Sequence, residues 1–319
     1  MKIGYFLSCE EFAPHELLRQ ARAAEAAGFS NLWISDHYHP WTEAQGQSAF
    51  VWSMIGALAE ATSRVKVTTG VTCPTLRIHP AVIAQAAATS QVLLDGRFEL
   101  GVGTGEALNE HIFGDPWPAA NTRLDMLEEA VDVIRELWTG KQVEHEGEHY
   151  VVENARIYTL PETLPPILVS GFGPKSVSLA ARIGDGYCMV EPNADLIGQY
   201  RSEGGEGPVQ AGTKVCFGPS KEEAVRTVKR IWPNEAIPGE LAQVLPNPAH
   251  FEQAAELVTE ELIADAVPCG PDLDEHVAAL KEFEEAGVDE LFVQQVGGGH
   301  DEFFSTWADH VLPQFESAR

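Results

Sequence analysis

The chain has 319 residues, 44% of them hydrophobic, enough to bury a large core in one domain, taken here as residues 1–319. Its 21 Lys and Arg stand against 48 Asp and Glu, a formal charge of −27 with no basic cluster, which argues against nucleic acid and anionic membrane surfaces as partners. No apolar run reaches the roughly 18 residues of a membrane span, no cleavable leader precedes the first strand pattern, and Cys9, Cys73, Cys188, Cys216 and Cys269 include no CxxC pair. These features predict a cytoplasmic protein with reduced, mostly buried thiols and no metal.

In chain order, short β-branched runs alternate with longer segments of helical period. KIGYFLS leads into PHELLRQARAAEAAG, NLWIS into AFVWSMIGALAEAT, VKVTTGV into PAVIAQAAATSQVL, and RFELGVG into TRLDMLEEAVDVIRELW. PPILVS, DGYCMV, TKVCFG and LFVQQV continue the series. Such alternation is that of βαβ units and a parallel sheet, and about eight strands favour a closed (β/α)8 barrel over an open doubly wound sheet. Two stretches interrupt the repeat: 141–158 is predicted to be an inserted hairpin and 231–272 a helical excursion above the barrel. The Gly-rich segment 202–212 is predicted to be a mobile loop. The acid excess is spread over helix faces, as a solvated surface or as an adaptation to a salty cytoplasm.

In a parallel barrel the reactive groups follow the strand ends. After NLWIS come Asp36, His37 and Trp41, a carboxylate, an imidazole and an indole that could supply an anchor, a base and an apolar wall; a surface loop is the plainer reading. After VKVTT come Gly70, Val71, Thr72 and Cys73, where a glycine marks a bulge or an ordinary turn. After RFELGVG come Glu106 and Asn109. Gly101, Gly103 and Gly105 miss the dinucleotide spacing by one residue and stand in the fourth βα unit, so a nicotinamide site is disfavoured. After PPILV come Ser170, Gly171, Phe172 and Gly173, a turn into a helix N-terminus suited to phosphate.

These stretches, SCEEFAP, SDHYHPW, GVTCPTLRIHPAVIAQAAAT, GVGTGEALNE, SGFGPKS and ARIGDGY, resemble the deazaflavin-dependent branch of the luciferase-like superfamily, including its glucose-6-phosphate and secondary-alcohol dehydrogenases. The resemblance runs in order from residue 2 to about 190 and more loosely through EEAGVDELFV and GHDEFF. It implies a luciferase-like TIM barrel that uses coenzyme F420 on a small-molecule substrate, commonly as a homodimer. It further implies that His37 is the base and Glu106 the acid toward the ring, with Trp41 lining the substrate side and Glu10 in support. Asp36 and Asn109 would contact the cofactor, and Gly70-Val71 would form a cis bulge behind its ring, continued by Thr72 and Cys73. The turn Ser170-Gly171-Phe172-Gly173 would hold its phosphate.

The sugar-phosphate enzymes hold phosphate with Lys and Arg from the C-terminal half. Residues 231–280 here contain neither, but carry ten carboxylates; Arg201 is the nearest candidate beyond Val190. Thr72-Cys73-Pro74 also looks more like the alcohol dehydrogenases. The expectation is therefore a small non-phosphorylated alcohol or its carbonyl. The alternatives are a glucose-6-phosphate or sugar dehydrogenase, an F420-dependent methylene-pterin reductase, an FMN-dependent monooxygenase, and, from another class, a non-catalytic cofactor-binding barrel.

Overall fold

The computed structural model describes residues 1–315. Its strands are β1 (Lys2–Leu7), β2 (Asn31–Ile34), β3 (Lys66–Thr69), β4 (Phe98–Val102), β5 (Val143–Glu146), β6 (Val151–Ala155), β7 (Ile167–Ser170), β8 (Gly186–Met189), β9 (Val209–Val215) and β10 (Glu290–Gln295). Eight close into a parallel barrel in the order β1-β10-β9-β8-β7-β4-β3-β2. Most are buried on both faces, which is why they read as continuous rather than alternating apolar runs. Proline opens the helices Pro14–Ala27, Pro80–Leu93 and Pro174–Ile183, where its missing N–H is no loss. Left-handed Gly28 and Gly287 end the helices Pro14–Ala27 and Leu273–Ala286 at the turn back into a strand.

The expected hairpin is present as the antiparallel pair β5 and β6. Its Tyr150 hydroxyl donates to Thr75 O at 3.0 Å, docking the hairpin on the segment after β3. The expected excursion consists of a 3-10 turn at Pro233–Ala236 and the helices Leu241–Val244, Pro248–Ala255 and Glu260–Ala266. It returns beside the end of β9, where Cys269 pairs with Cys216 as an isolated parallel bridge. All five thiols are buried and free.

One boundary differs from the sequence expectation. Residues 209–212 are not a mobile loop but the first half of β9, paired residue for residue with β10 and β8. Gln210 and Gly212 hid the strand because they face the barrel interior, where a polar or small residue is required. Gln210 Nε2 donates to Glu99 Oε2 at 2.8 Å and to Glu290 Oε2 at 2.9 Å, while its Oε1 accepts from Trp33 Nε1 at 2.7 Å. Lys66 and Lys2 reach the other oxygens of the two glutamates from the open N-terminal end. Above this polar layer Trp33 stacks on Phe292 with centroids 4.8 Å apart.

Gln210→Leu would leave two buried carboxylates and an indole N–H without their shared partner. The expected cost is about 2–4 kcal/mol, read as a lowered midpoint in urea unfolding with an unchanged slope.

Candidate active site

The C-terminal strand ends assemble the predicted proton-transfer residues and their neighbours from three segments. Glu10 follows β1, His37 and Trp41 follow β2, and Glu106 and Asn109 lie on the segment after β4. Glu10 is held asymmetrically: its Oε2 accepts from Ser8 Oγ at 2.8 Å and from Ser35 Oγ at 2.5 Å, and its Oε1 lies 3.4 Å from His37 Nε2. On the other side of the ring, His37 Nδ1 meets Asn109 Nδ2 at 3.1 Å and His39 O at 3.2 Å. One is a donor and the other an acceptor, so either tautomer of the imidazole has a partner.

Asn109 fixes this arrangement. Its Oδ1 accepts from the N–H groups of Tyr38 and His39 at 2.9 and 3.2 Å, which orients its Nδ2 toward His37 and toward Glu106 Oε2 at 3.0 Å. One buried amide thus sets the separation of the expected base and the expected acid. Trp41 packs its ring 4.9 Å from that of His37 and 5.1 Å from Phe251 of the excursion, forming a wall between barrel and lid.

Asp36 is buried and bonded through both carboxylate oxygens. Its Oδ2 accepts from Thr72 Oγ1 at 2.8 Å and its Oδ1 from Arg77 Nη2 at 2.8 Å. Thr72 is fully enclosed, its N–H donating to Gly101 O and its carbonyl accepting from Gly103 N. Cys73 is buried against Thr75 and packs beneath Gly105, where an added Cβ would meet its sulfur at 2.6 Å. Burial pushes this thiol well above the usual range. These three side chains support the wall of the site.

Sequence reasoning missed Arg77 and Glu110. The Arg77 guanidinium joins Asp36 to Glu110, whose oxygens accept from Arg77 N at 2.8 Å and Nε at 3.4 Å. All three side chains are 5% exposed or less. Burial pushes Glu110 up to about 7 against the pull of Arg77. The signal available in the sequence was an arginine inside the long motif GVTCPTLRIHPAVIAQAAAT, read there for its resemblance rather than its charge.

Gly70-Val71 is a cis peptide. A Cβ on Gly70 would press on Trp33 at 2.8 Å, and one on Gly103 would meet Val71 at 2.8 Å. The glycines therefore let Val71, Trp33 and Phe6 form a shared apolar floor. At the edge of the mouth, Gly173 caps the helix Pro174–Ile183 with open space at its Cβ position, and the first-turn N–H groups there face the helix end. Ser170 and Gly171 lead into this turn, and the Phe172 side chain is half exposed. An apolar floor and an anion-compatible helix end at the same end of the barrel fit a ring-bearing phosphorylated cofactor.

Arg201 is not part of this site. It donates to Gly205 O, Gly207 O and Asp289, which precede β9 and β10, so it lies at the opposite, N-terminal end of the barrel. A basic residue that does face the barrel interior on the side of the mouth is Lys214 on β9, with its ammonium 5.9 Å from the Phe6 centroid. Among the described residues no group of three or more His, Cys, Asp or Glu could hold a metal ion, and no helix is long and apolar enough to cross a membrane.

The luciferase-like monooxygenase family model matches residues 1–290. A protein of Microbacterium testaceum named F420-dependent glucose-6-phosphate dehydrogenase is 34% identical over 98% of this chain and 97% of its own length. One of the same name from Amycolatopsis mediterranei is 33% identical over 99% of both. The solved structure of an F420-dependent secondary alcohol dehydrogenase with an F420-acetone adduct is 30% identical, covers 97% of this chain and 98% of its own, and superimposes with a TM-score of 0.90.

Two outcomes follow from the buried charges. Arg77→Met would strand Asp36 and Glu110 and is expected to lower unfolding stability by about 3–5 kcal/mol. Glu11, beside Glu10, is held by Trp232 Nε1 and Gly297 N, each at 2.6 Å, and by Gln294 Nε2 at 3.0 Å, yet burial pushes it up to about 7. A carboxyl raised on folding takes up a proton between its unfolded and folded values. Its stabilising contribution is therefore complete below about 4.5 and lost as pH rises toward 7. Urea titrations from pH 4.5 to 8 are expected to show a shallower decline for Glu11→Gln than for the parent.

Proposed function

We propose, for a chain that belongs to the luciferase-like monooxygenase family and is an F420-dependent oxidoreductase, that the substrate is a small uncharged secondary alcohol or its ketone. The observation that carries this reading is the charge inventory of the mouth. Among the described residues, Arg77 is neutralised by Asp36 and Glu110 and Lys214 by Glu235 at 2.9 Å, while Arg123, which has no carboxylate partner, is buried and turned to Pro118 O and to Gln243 Oε1 of the lid. The lid adds no Lys or Arg between residues 231 and 280. A phosphate dianion in such a pocket would lose its water without gaining charge-assisted hydrogen bonds, each worth about 1.5–3 kcal/mol. The names of the relatives point to two substrates, a sugar phosphate and a secondary alcohol; the engagement of Arg77 and Lys214 by carboxylates favours the second.

Coenzyme F420, when bound, supplies the hydride acceptor and donor. The floor of Phe6, Val71 and Trp33 would support its ring, and the turn at Gly171 and Gly173 would hold its phosphate. His37 is the group that takes the hydroxyl proton: with Nδ1–H donating to His39 O, Nε2 is open to accept. Glu10 Oε1, 3.4 Å away, then stabilises the imidazolium. Glu106, which accepts from Asn109 at 3.0 Å, serves in this reading as the second proton-transfer group. Trp41 and Phe251 exclude water from the base.

The reading is tested by reconstituting the protein separately with F420 and with FMN and assaying isopropanol, glucose and glucose 6-phosphate without oxygen. Isopropanol with F420 is expected to give the highest kcat/KM; a preference for glucose 6-phosphate would refute the substrate assignment. His37→Ala is expected to lower turnover by roughly 10²–10⁴ while F420 affinity, read by fluorescence titration, stays within a few-fold.

A further inference from the structure

The inward face of β9 carries Gln210, Gly212 and Lys214 at alternate positions, each one layer nearer the mouth. Gln210 closes the polar layer, an added Cβ at Gly212 would meet Trp33 at 2.7 Å, and Lys214 ends above Phe6. Lys214 is thus a cation built into the barrel interior on the side of the catalytic mouth, with only 13% of its side chain exposed. Its ammonium is 4.2 Å from the centroid of Trp232, and its carboxylate partner is Glu235, 2.9 Å away and 27% exposed. Both partners come from the segment that opens the lid: Trp232 directly precedes the 3-10 turn Pro233–Ala236, and Glu235 lies within it. Trp232 is itself fixed from the barrel side by Glu11.

A nearly buried lysine that faces the mouth would be the natural receptor for an anionic substrate group. The lid supplies an anion of its own in that place. We propose that Glu235 is a specificity-determining residue: by occupying Lys214 it excludes anionic substrates, so the selectivity for uncharged molecules resides in this one lid carboxylate. The proposal rests on the alcohol reading above and gives its physical origin. An incoming phosphate or carboxylate must displace a carboxylate already held by the fold, and any group that fails to do so meets Glu235 as a like charge. Replacing Glu235 by its neutral amide keeps the shape of the turn but removes the carboxylate in direct contact with Lys214, leaving only the charge of Glu11, whose oxygens are taken up by Trp232, Gln294 and Gly297, so that a substrate anion can take the vacated place.

Glucose and glucose 6-phosphate differ only by the phosphate and so isolate this effect. The F420-loaded parent, Glu235→Gln, and the double variant Glu235→Gln with Lys214→Met are compared in two ways. One is the ratio of kcat/KM for glucose 6-phosphate over glucose. The other is the Kd of glucose 6-phosphate by calorimetry, which requires no turnover. Glu235→Gln is expected to raise the ratio and tighten Kd by about 10-fold or more, less so in 0.5 M than in 0.05 M KCl, and the double variant is expected to lose the gain. If Glu235→Gln leaves both readouts within two-fold of the parent, or if the double variant keeps the gain, the proposal fails; the latter result would assign Glu235 to lid closure alone. A parent that already prefers glucose 6-phosphate over isopropanol would refute the alcohol reading, while the change on Glu235→Gln would still decide the role of this residue.

Discussion

A single arginine ties together three of the loops on which the site is built. Arg77 follows β3 and bonds Asp36 after β2 and Glu110 after β4, so loops far apart in the chain become one rigid rim. Arginine suits this place because its planar fork serves two carboxylates at once and does not lose its charge on burial. Asn109 lies on the same short helix as Glu110, and through it the rim sets where His37 and Glu106 stand. Without the guanidinium, two buried acids would face each other across the loops whose spacing the proton chemistry requires.

The parts of the fold visible in the sequence were those with a local cause. Apolar strands buried on both faces, Pro at helix starts and Gly at helix ends act within a few residues, and they marked the βα repeat, the hairpin and the excursion. The polar interior had no such mark. Gln210 reads as a surface residue because its partners Glu99 and Glu290 are 111 and 80 positions away, and the glycines before it suggested a loop. Arg201 was misplaced for a related reason: nearness to the end of β8 in sequence puts a residue at the mouth, but the helix Ala194–Ser202 had by then carried the chain back to the far end.

The site was legible in a similar, uneven way. His37, Trp41, Glu106 and Asn109 stood out because they follow strand ends in long motifs, and the fold bonds His37 and Glu106 to Asn109 and packs Trp41 on His37. Asp36, Thr72 and Cys73 stand in the same motifs, yet their side chains satisfy one another or the neighbouring loops. A motif records which residues are needed at a place and not whether they face a ligand or the wall behind it. Arg77 and Lys214 could be recognised only from their partners: an arginine or lysine in isolation reads as surface charge, and its meaning here comes from the carboxylates the fold sets against it.

The lid, residues 233–266, contributes walls and the carboxylate of Glu235 to the mouth, whereas the residues proposed to handle protons, Glu10, His37 and Glu106, belong with Asn109 to the strand ends. The two inventories do not overlap. Such a chain is modular: an exchanged lid alters what can enter while the reaction machinery keeps its geometry. A barrel of this kind can therefore diversify its substrates through one surface segment, at little risk to the step they share.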